Sequence, residues 1–304
     1  MSYDKDSLPN TFKVAISLCL VCALLVSAAA VGLKSRQDAN ALADRQVNIL
    51  RVAGFTEEEI DEVGIGELFK ANFETHIIDL ESGELAAEEC QVAVEAAGKK
   101  VGNIVQEYDQ IWCSKSKKKS VSDKLGKKAD IVGIKYREKY SQVFTLQSED
   151  GKIIKYVFPV RGYGLWSMMQ GYMAVEPDLA TVAGLTFYAQ GETPGLGGEV
   201  ENKKWKAKWP GKKLYAASGE VALKVSKGDQ SENENGVDAL SGATITSNGV
   251  TNLVKFWMGK QGFGPYIDKQ KSSPSQPTAD NVKANTNVLK SANIAPAKSG
   301  DNRG

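Results

Sequence analysis

Between Lys13 and Lys34 the chain has 20 residues without a charge, Val14 to Leu33, and ten of them are Val, Ile or Leu. As a helix rising about 1.5 Å per residue, this run is roughly 30 Å long, the thickness of a bilayer core. The pattern predicts one transmembrane helix. A cleaved signal peptide is the competing reading, and Ala28-Ala29-Ala30 imitates a cleavage region. The apolar run exceeds the ~7–15 residues of such a peptide, which favours an uncleaved anchor. Lys5 and Lys13 precede the span, while Lys34, Arg36, Arg45 and Arg51 follow it. Simple counting of these charges places the soluble part in the cytoplasm. Long domains translocate largely regardless of charge, so the pattern leaves the side open.

Beyond the span the periodicity changes. Leu42, Val47, Ile49, Leu50 and Val52 predict an amphipathic helix over Ala41 to Ala53, with Gly54 as its stop. Thr56 and Glu59 form a capping-box signature for a second helix through about Phe69. From Asp130 onward short runs rich in β-branched and aromatic residues predict strands at Ile131–Tyr136, Gln142–Gln147 and Ile153–Val160. Asp150-Gly151 is a hairpin signal between the last two. Tyr172–Val175, Val182–Tyr188 and Val221–Val225 continue the sheet. Val250, Leu253, Val254, Trp257 and Met258 then mark one face of a helix that Gly259 ends. Helices flank the strands more than they alternate with them, so the expected class is α+β, not a doubly wound sheet. From Lys269 no aromatic residue remains, and a disordered tail is expected over 269–304.

Composition narrows the function. The 304 residues carry 38 Lys+Arg and 37 Asp+Glu, a net charge of +1, without the basic excess typical of nucleic-acid binders. A mean hydropathy of −0.30 allows one span but not a polytopic protein. A single histidine, His76, excludes a His-rich metal centre and a bis-histidine haem, and no metal site is expected. Residues 115–128 hold seven lysines against Asp123, a pattern of a solvated loop or helix face, with anionic lipid contact as the lesser reading. Cys19 and Cys22 have C-x-x-C spacing but no βαβ context, and read as small apolar residues of the span. Cys90 and Cys113 pair or stay reduced according to compartment, and sequence leaves both open.

Three segments bear on chemistry. In Asp238-Ala239-Leu240-Ser241-Gly242-Ala243-Thr244-Ile245-Thr246 a small, polar turn opens the amphipathic helix. Free N–H groups and the positive dipole end make such a turn a site for an anion, phosphate above all. Thr244 and Thr246 offer hydroxyls there, and an N-cap with nothing bound is the plainer alternative. In Gly191-Glu192-Thr193-Pro194-Gly195-Leu196-Gly197-Gly198, Pro194-Gly195 suggests a type II turn, and the glycines suggest backbone packed close to a flat object or another chain. Trp166, in Gly162-Tyr163-Gly164-Leu165-Trp166, could stack on an aromatic cofactor or fill a core. None of these is a dinucleotide fingerprint, since Ser167 stands where the third glycine belongs, and no NADH site is found.

Together the segments resemble a known family. Asp238-x-x-Ser241-Gly242-Ala243-Thr244 is similar, without departure, to the pattern D-x-x-[ST]-G-A-T of FMN-binding domains whose flavin is attached covalently to threonine. With Gly164-Leu165-Trp166-Ser167-Met168-Met169, the 191–200 loop, Gly262-Phe263-Gly264-Pro265 and the single anchor, residues 1 to about 268 resemble the C subunits of Na⁺-translocating NADH:quinone reductases. The G subunit of the Rnf electron-transport complex shares the flavin motif and a similar loop, but Gly198-Glu199-Val200-Glu201-Asn202 looks more like the reductase family.

The resemblance implies an electron-relaying subunit with covalent FMN on Thr244, installed from FAD by a flavin transferase. It implies other membrane subunits as partners, one with a second covalent flavin, and an iron–sulfur centre as electron donor. The whole complex would oxidise NADH, reduce ubiquinone and move Na⁺ outward. The implied organisation is a cytoplasmic N-terminus (1–13), a transmembrane helix (14–33), helical and linker residues (34–129) and the FMN-binding domain (130–268). The soluble part would lie in the periplasm, tethered to a bacterial inner membrane. Ser241, Gly242, Ala243 and Thr246 would support the phosphate. Glu192, Thr193, Gly195, Leu196, Gly197, Leu165 and Trp166 would adjoin the flavin. Asp238 would serve recognition by the transferase. No general base or nucleophile is needed in turnover. A membrane-tethered assembly module that never carries electrons is the reading from a different class.

Overall fold

The computed structural model describes residues 8–272. The described residues fall into two units, one ending at Val47 and one beginning at Asn48. Helix α1 runs from Leu8 to Ala53, 46 residues or roughly 70 Å. The first unit is helical throughout, and its aliphatic side chains, among them Leu18, Leu20, Leu24 and Leu25, are exposed on every side. An exposed helix that is apolar all round is suited to lipid, and this one is long and apolar enough to cross a membrane. The anchor and the separate helix expected at Ala41–Ala53 are one element, because no Gly or Pro interrupts the chain from Leu33 to Ala53.

The second unit begins with the last turn of α1, where Ile49, Leu50 and Ala53 are buried. Gly54, at φ +107°, ends the helix. The Thr56–Glu59 capping box forms: Glu59 N–H donates to the Thr56 hydroxyl at 3.2 Å and Thr56 N–H to the Glu59 carboxylate at 2.7 Å. The helix it opens, α2 (Glu57–Val63), stops early at Gly64, at φ +89°, and α3 (Ile65–Asn72) follows. β1 (Phe73–Asp79), a strand not anticipated in the sequence, leads into the short helices α4 (Ala87–Ala96), α5 (Ile104–Glu107) and α6 (Gln110–Ser116). Cys90 and Cys113 are buried in one cluster here as free thiols.

β2 (Ser122–Lys124) and β3 (Tyr136–Glu138) form a small antiparallel pair. The expected strand at Ile131–Tyr136 is instead mostly a turn. Asp130 accepts from the N–H groups of Ile134 and Lys135, and Gly133 and Lys135 have positive φ. Two of its β-branched side chains, Val132 and Ile134, are still buried, while Ile131 is exposed. The main sheet adds β4 (Tyr140–Gln147), β5 (Ile153–Tyr163), β6 (Met168–Val175) and β7 (Val182–Ala189) to β1. Its order is β1-β4-β5-β6-β7, antiparallel throughout, and Asp150-Gly151 makes the β4–β5 turn as expected.

After β7 come a 3₁₀ turn (Gly197–Glu201) and α7 (Lys203–Lys206). β8 (Lys224–Ser226) pairs in parallel with β9 (Gly236–Asp238). The strand expected at Val221–Val225 contributes only its last two residues to β8, since Val221 bridges Tyr215 across a turn at Gly219. α8 (Thr244–Trp257) lies against β5, with Val250, Leu253, Val254 and Trp257 buried in the main core. Trp257 Nε1 donates to the Arg161 carbonyl at 2.6 Å, and the buried Arg161 guanidinium pairs with Glu138. α9 (Gly264–Ser272) closes the unit and carries helix into the first four residues of the expected tail. The remainder of that tail, 273–304, and residues 1–7 lie outside the described residues.

Candidate functional site

The first turn of α8 is bare on its outer side. Ala243 is the N-cap and provides no side-chain cap. Thr244 is the first helical residue and is exposed, as are Ser241, Gly242 and Ile245. A helix start without a capping side chain leaves N–H donors for an external acceptor. The turn feeding it is held from within. Leu240 is buried and its N–H donates to the Ser247 hydroxyl at 3.0 Å. Gly242 sits at φ +70°, and a Cβ there would approach Leu196 Cδ2 to 2.9 Å. The Gly191–Gly198 loop and the Ser241–Thr244 turn are therefore in contact.

Glu192 joins three segments. One carboxylate oxygen accepts from Leu165 N–H at 3.0 Å and the Thr246 hydroxyl at 2.7 Å. The other accepts from Trp166 N–H at 3.0 Å, Ser167 N–H at 2.9 Å and the Ser167 hydroxyl at 2.9 Å. Glu192 is only 5% exposed. Burial pushes its pKa up, but the donors of Leu165, Thr246, Trp166 and Ser167 outweigh this and hold it at about 2. Glycine makes the close approach feasible. A Cβ at Gly164 would lie 2.7 Å from Glu192 Cδ, and one at Gly197 2.6 Å from Thr246 Oγ1.

Pro194-Gly195 is a tight turn, with Gly195 at φ +76° and Leu196 N–H donating to the Thr193 carbonyl. Around this junction the exposed large apolar side chains are Tyr163, Leu165, Trp166, Leu196 and Ile245, with Trp166 at 70% exposure. Trp166 is thus no core residue. Thr193 and Gly195 are also exposed, and Gly197 is buried.

Of the residues expected beside the flavin, Glu192 and Gly197 are buried at the junction, and two further expected site residues, Thr246 and Asp238, face elsewhere. Thr246 is 1% exposed, and its hydroxyl is engaged by Glu192 on the inner side of the helix. Asp238 turns its carboxylate toward Lys208, whose ammonium pairs with it, and toward Gln230 N–H at 2.7 Å. Lys208 and the Gln230 N–H hold the Asp238 pKa below its ordinary value. Its carbonyl accepts from Trp205 Nε1 at 2.8 Å, tying α7 to the motif. Ser167, Trp205 and Lys208 were not marked as site residues by sequence reasoning. Ser167 had a signal, its place in the Gly164–Met169 segment, whereas Trp205 and Lys208 meet the motif only through folding.

A family model, "FMN-binding domain", matches residues 164–259, a span that contains all three segments joined at Glu192. The fold and the junction thus define an FMN-binding domain behind a membrane-spanning helix. The C subunit of the Na(+)-translocating NADH-quinone reductase of Pasteurella multocida is 42% identical over 90% of this chain and 98% of its own length. Its Vibrio alginolyticus counterpart is 42% identical over 88% of this chain and 97% of its own. The crystal structure of Shewanella oneidensis NqrC, 32% identical, superposes with a TM-score of 0.65 over 77% of this chain and 100% of that one. The chain belongs to the family of C subunits of the Na⁺-translocating NADH-quinone reductases, an oxidoreductase complex, and it has the expected α+β architecture.

Proposed function

We propose that this chain carries an FMN joined as a phosphoester to Thr244 and relays electrons inside the Na⁺-translocating NADH:ubiquinone reductase. The observation that carries this reading is Thr244 itself: an exposed hydroxyl on the first, uncapped turn of a 14-residue helix, at the last position of Asp238-x-x-Ser241-Gly242-Ala243-Thr244. The surroundings fit the group. Ser241 and the first-turn N–H groups suit a phosphate, and Gly242, exposed and without a side chain, leaves space for it beside the buried Ala243. Leu165, Trp166 and Leu196 offer exposed apolar surface for a flat ring, with Thr193 and Gly195 at the rim. When bound, FMN would supply the one- and two-electron chemistry. The chain's own part is to hold, orient and polarise. Glu192 and Thr246, with Gly197 packed against them, form the inner support and not the contact surface.

Attachment balances as a transfer: the Thr244 Oγ–P bond forms, the pyrophosphate bond of FAD breaks, AMP leaves, and the hydroxyl proton is released. A flavin transferase would perform it, with Asp238 and Lys208 on the surface beside the motif. The covalent bond would keep the cofactor in an exposed site. Electrons would come from an iron–sulfur centre and go to a second covalent flavin in another member of the complex, with NADH oxidised elsewhere in the assembly. The soluble unit would stand in the periplasm, anchored in the bacterial inner membrane by α1. The test is a denaturing gel viewed under ultraviolet light, with chains co-expressed with a flavin transferase. A fluorescent wild-type band beside a dark Thr244→Ala band is expected, and a fluorescent Thr244→Ala band contradicts the assignment.

A further inference from the structure

We infer that Glu192 is the positioning residue of this site: its buried carboxylate holds the Leu165–Ser167 loop and the first turn of α8 in register before any flavin is attached, and places a fixed negative charge behind them. This deepens the proposed flavin reading, and its second half rests on that reading. Three observations lead there. First, all five hydrogen bonds to the carboxylate come from within the chain, from Leu165, Trp166, Ser167 twice and Thr246, so no external ligand is needed to satisfy it. Second, the group is enclosed: methyl groups at Gly164 and Gly197 would meet it at 2.7 Å (Cδ) and 2.9 Å (Cβ and Oε2) respectively. Third, the Thr246 hydroxyl, two residues beyond Thr244, reaches it at 2.7 Å.

A carboxylate accepts at both oxygens, whereas an amide presents a donor at one of them. Glu192→Gln keeps the shape but leaves at least one loop N–H facing an NH₂ group. Thr246→Val removes one donor and keeps the charge. The pair separates positioning from charge.

The first readout needs no flavin. In the full chain expressed without transferase, amide hydrogen exchange at Leu165, Trp166 and Ser167 is expected to quicken about tenfold or more in Glu192→Gln, because hydrogen bonds to a charged acceptor are lost. Amides of the β5 core, such as Phe158, should keep their wild-type rates. With transferase present, flavin loading should fall several-fold in Glu192→Gln. The midpoint potential of its loaded fraction should rise, since a fixed anion no longer opposes reduction. Thr246→Val should quicken exchange at Leu165, which shares its oxygen, and lower loading without moving the potential. Should Glu192→Gln fail to accumulate, Thr246→Val decides the positioning claim alone. Wild-type exchange at 165–167 in Glu192→Gln overturns the positioning role, and an unmoved potential overturns the charge role. A dark wild-type band instead sinks the flavin reading and leaves the exchange result standing.

Discussion

At Gly197 a single methyl group would sit 2.6 Å from the Thr246 hydroxyl oxygen and 2.9 Å from the Glu192 carboxylate. Neither neighbour can retreat, because each is bound to the other and enclosed. Gly197→Ala is therefore expected to cost about 1–3 kcal/mol through overpacking, read as a lower urea midpoint, and to reduce flavin loading with it. Glu192 also gives a pH signature. Its pKa is lowered from 4.5 to about 2, so the folded state favours the ionised form. Its contribution to stability is fully present above pH ~4.5 and fades as pH falls toward 2. The stability gap between wild type and Glu192→Gln should be widest at pH 7 and narrow by pH 3, measured by urea unfolding at both. An equal gap at the two values contradicts the linkage. At this scale the small, polar turn that opens α8 was legible in the residues and its flavin reading came from the family resemblance, but the contact between Thr246 and Glu192 was not legible. Sequence puts the hydroxyl in the turn and the carboxylate in a separate loop 54 residues earlier; only the fold shows that they face each other.

Element by element, legibility followed how local the cause is. The Thr56–Glu59 box, the Asp150-Gly151 turn and the amphipathic stripe of α8 are each set within a few residues, and each forms. Thr56→Ala should cost about 1 kcal/mol in unfolding free energy, the ordinary worth of an N-cap. β1 was missed because Phe-Glu-Thr-His-Ile-Ile-Asp does not alternate cleanly and becomes a strand only by pairing with β4. β8 and β9 are three residues each and pair across a loop of nine intervening residues, which no local pattern announces. Val132 and Ile134 have strand composition, yet Asp130 captures the backbone into a turn. α9 lies where composition turns polar, but Tyr266 and Ile267 are buried, and Tyr266 meets Tyr156 and Phe158 edge-on. Ile267→Ala should destabilise by about 2–5 kcal/mol, checked by denaturant titration, although it is far from Thr244 in sequence.

On the scale of the whole molecule, the anchor was the plainest reading, because 20 uncharged residues leave few alternatives. The side of the membrane was not legible, since flanking charges and translocation of a long domain pull in different directions. The proposed periplasmic placement of the soluble unit predicts that protease added to spheroplasts digests it while leaving a membrane-embedded fragment from α1. Protection until the membrane is permeabilised would reverse that orientation. The family resemblance extends across most of the chain, with one relative 42% identical over 90% of its length. The central claim, however, rests on one bond. The most direct test isolates the full chain from membranes with an active transferase and digests it with trypsin. The peptide spanning residues 228–255, bounded by Lys227 and Lys255, is then fragmented by mass spectrometry. A flavin mononucleotide adduct localised to Thr244 is the predicted result. An adduct on another residue, or an unmodified peptide, would contradict the account.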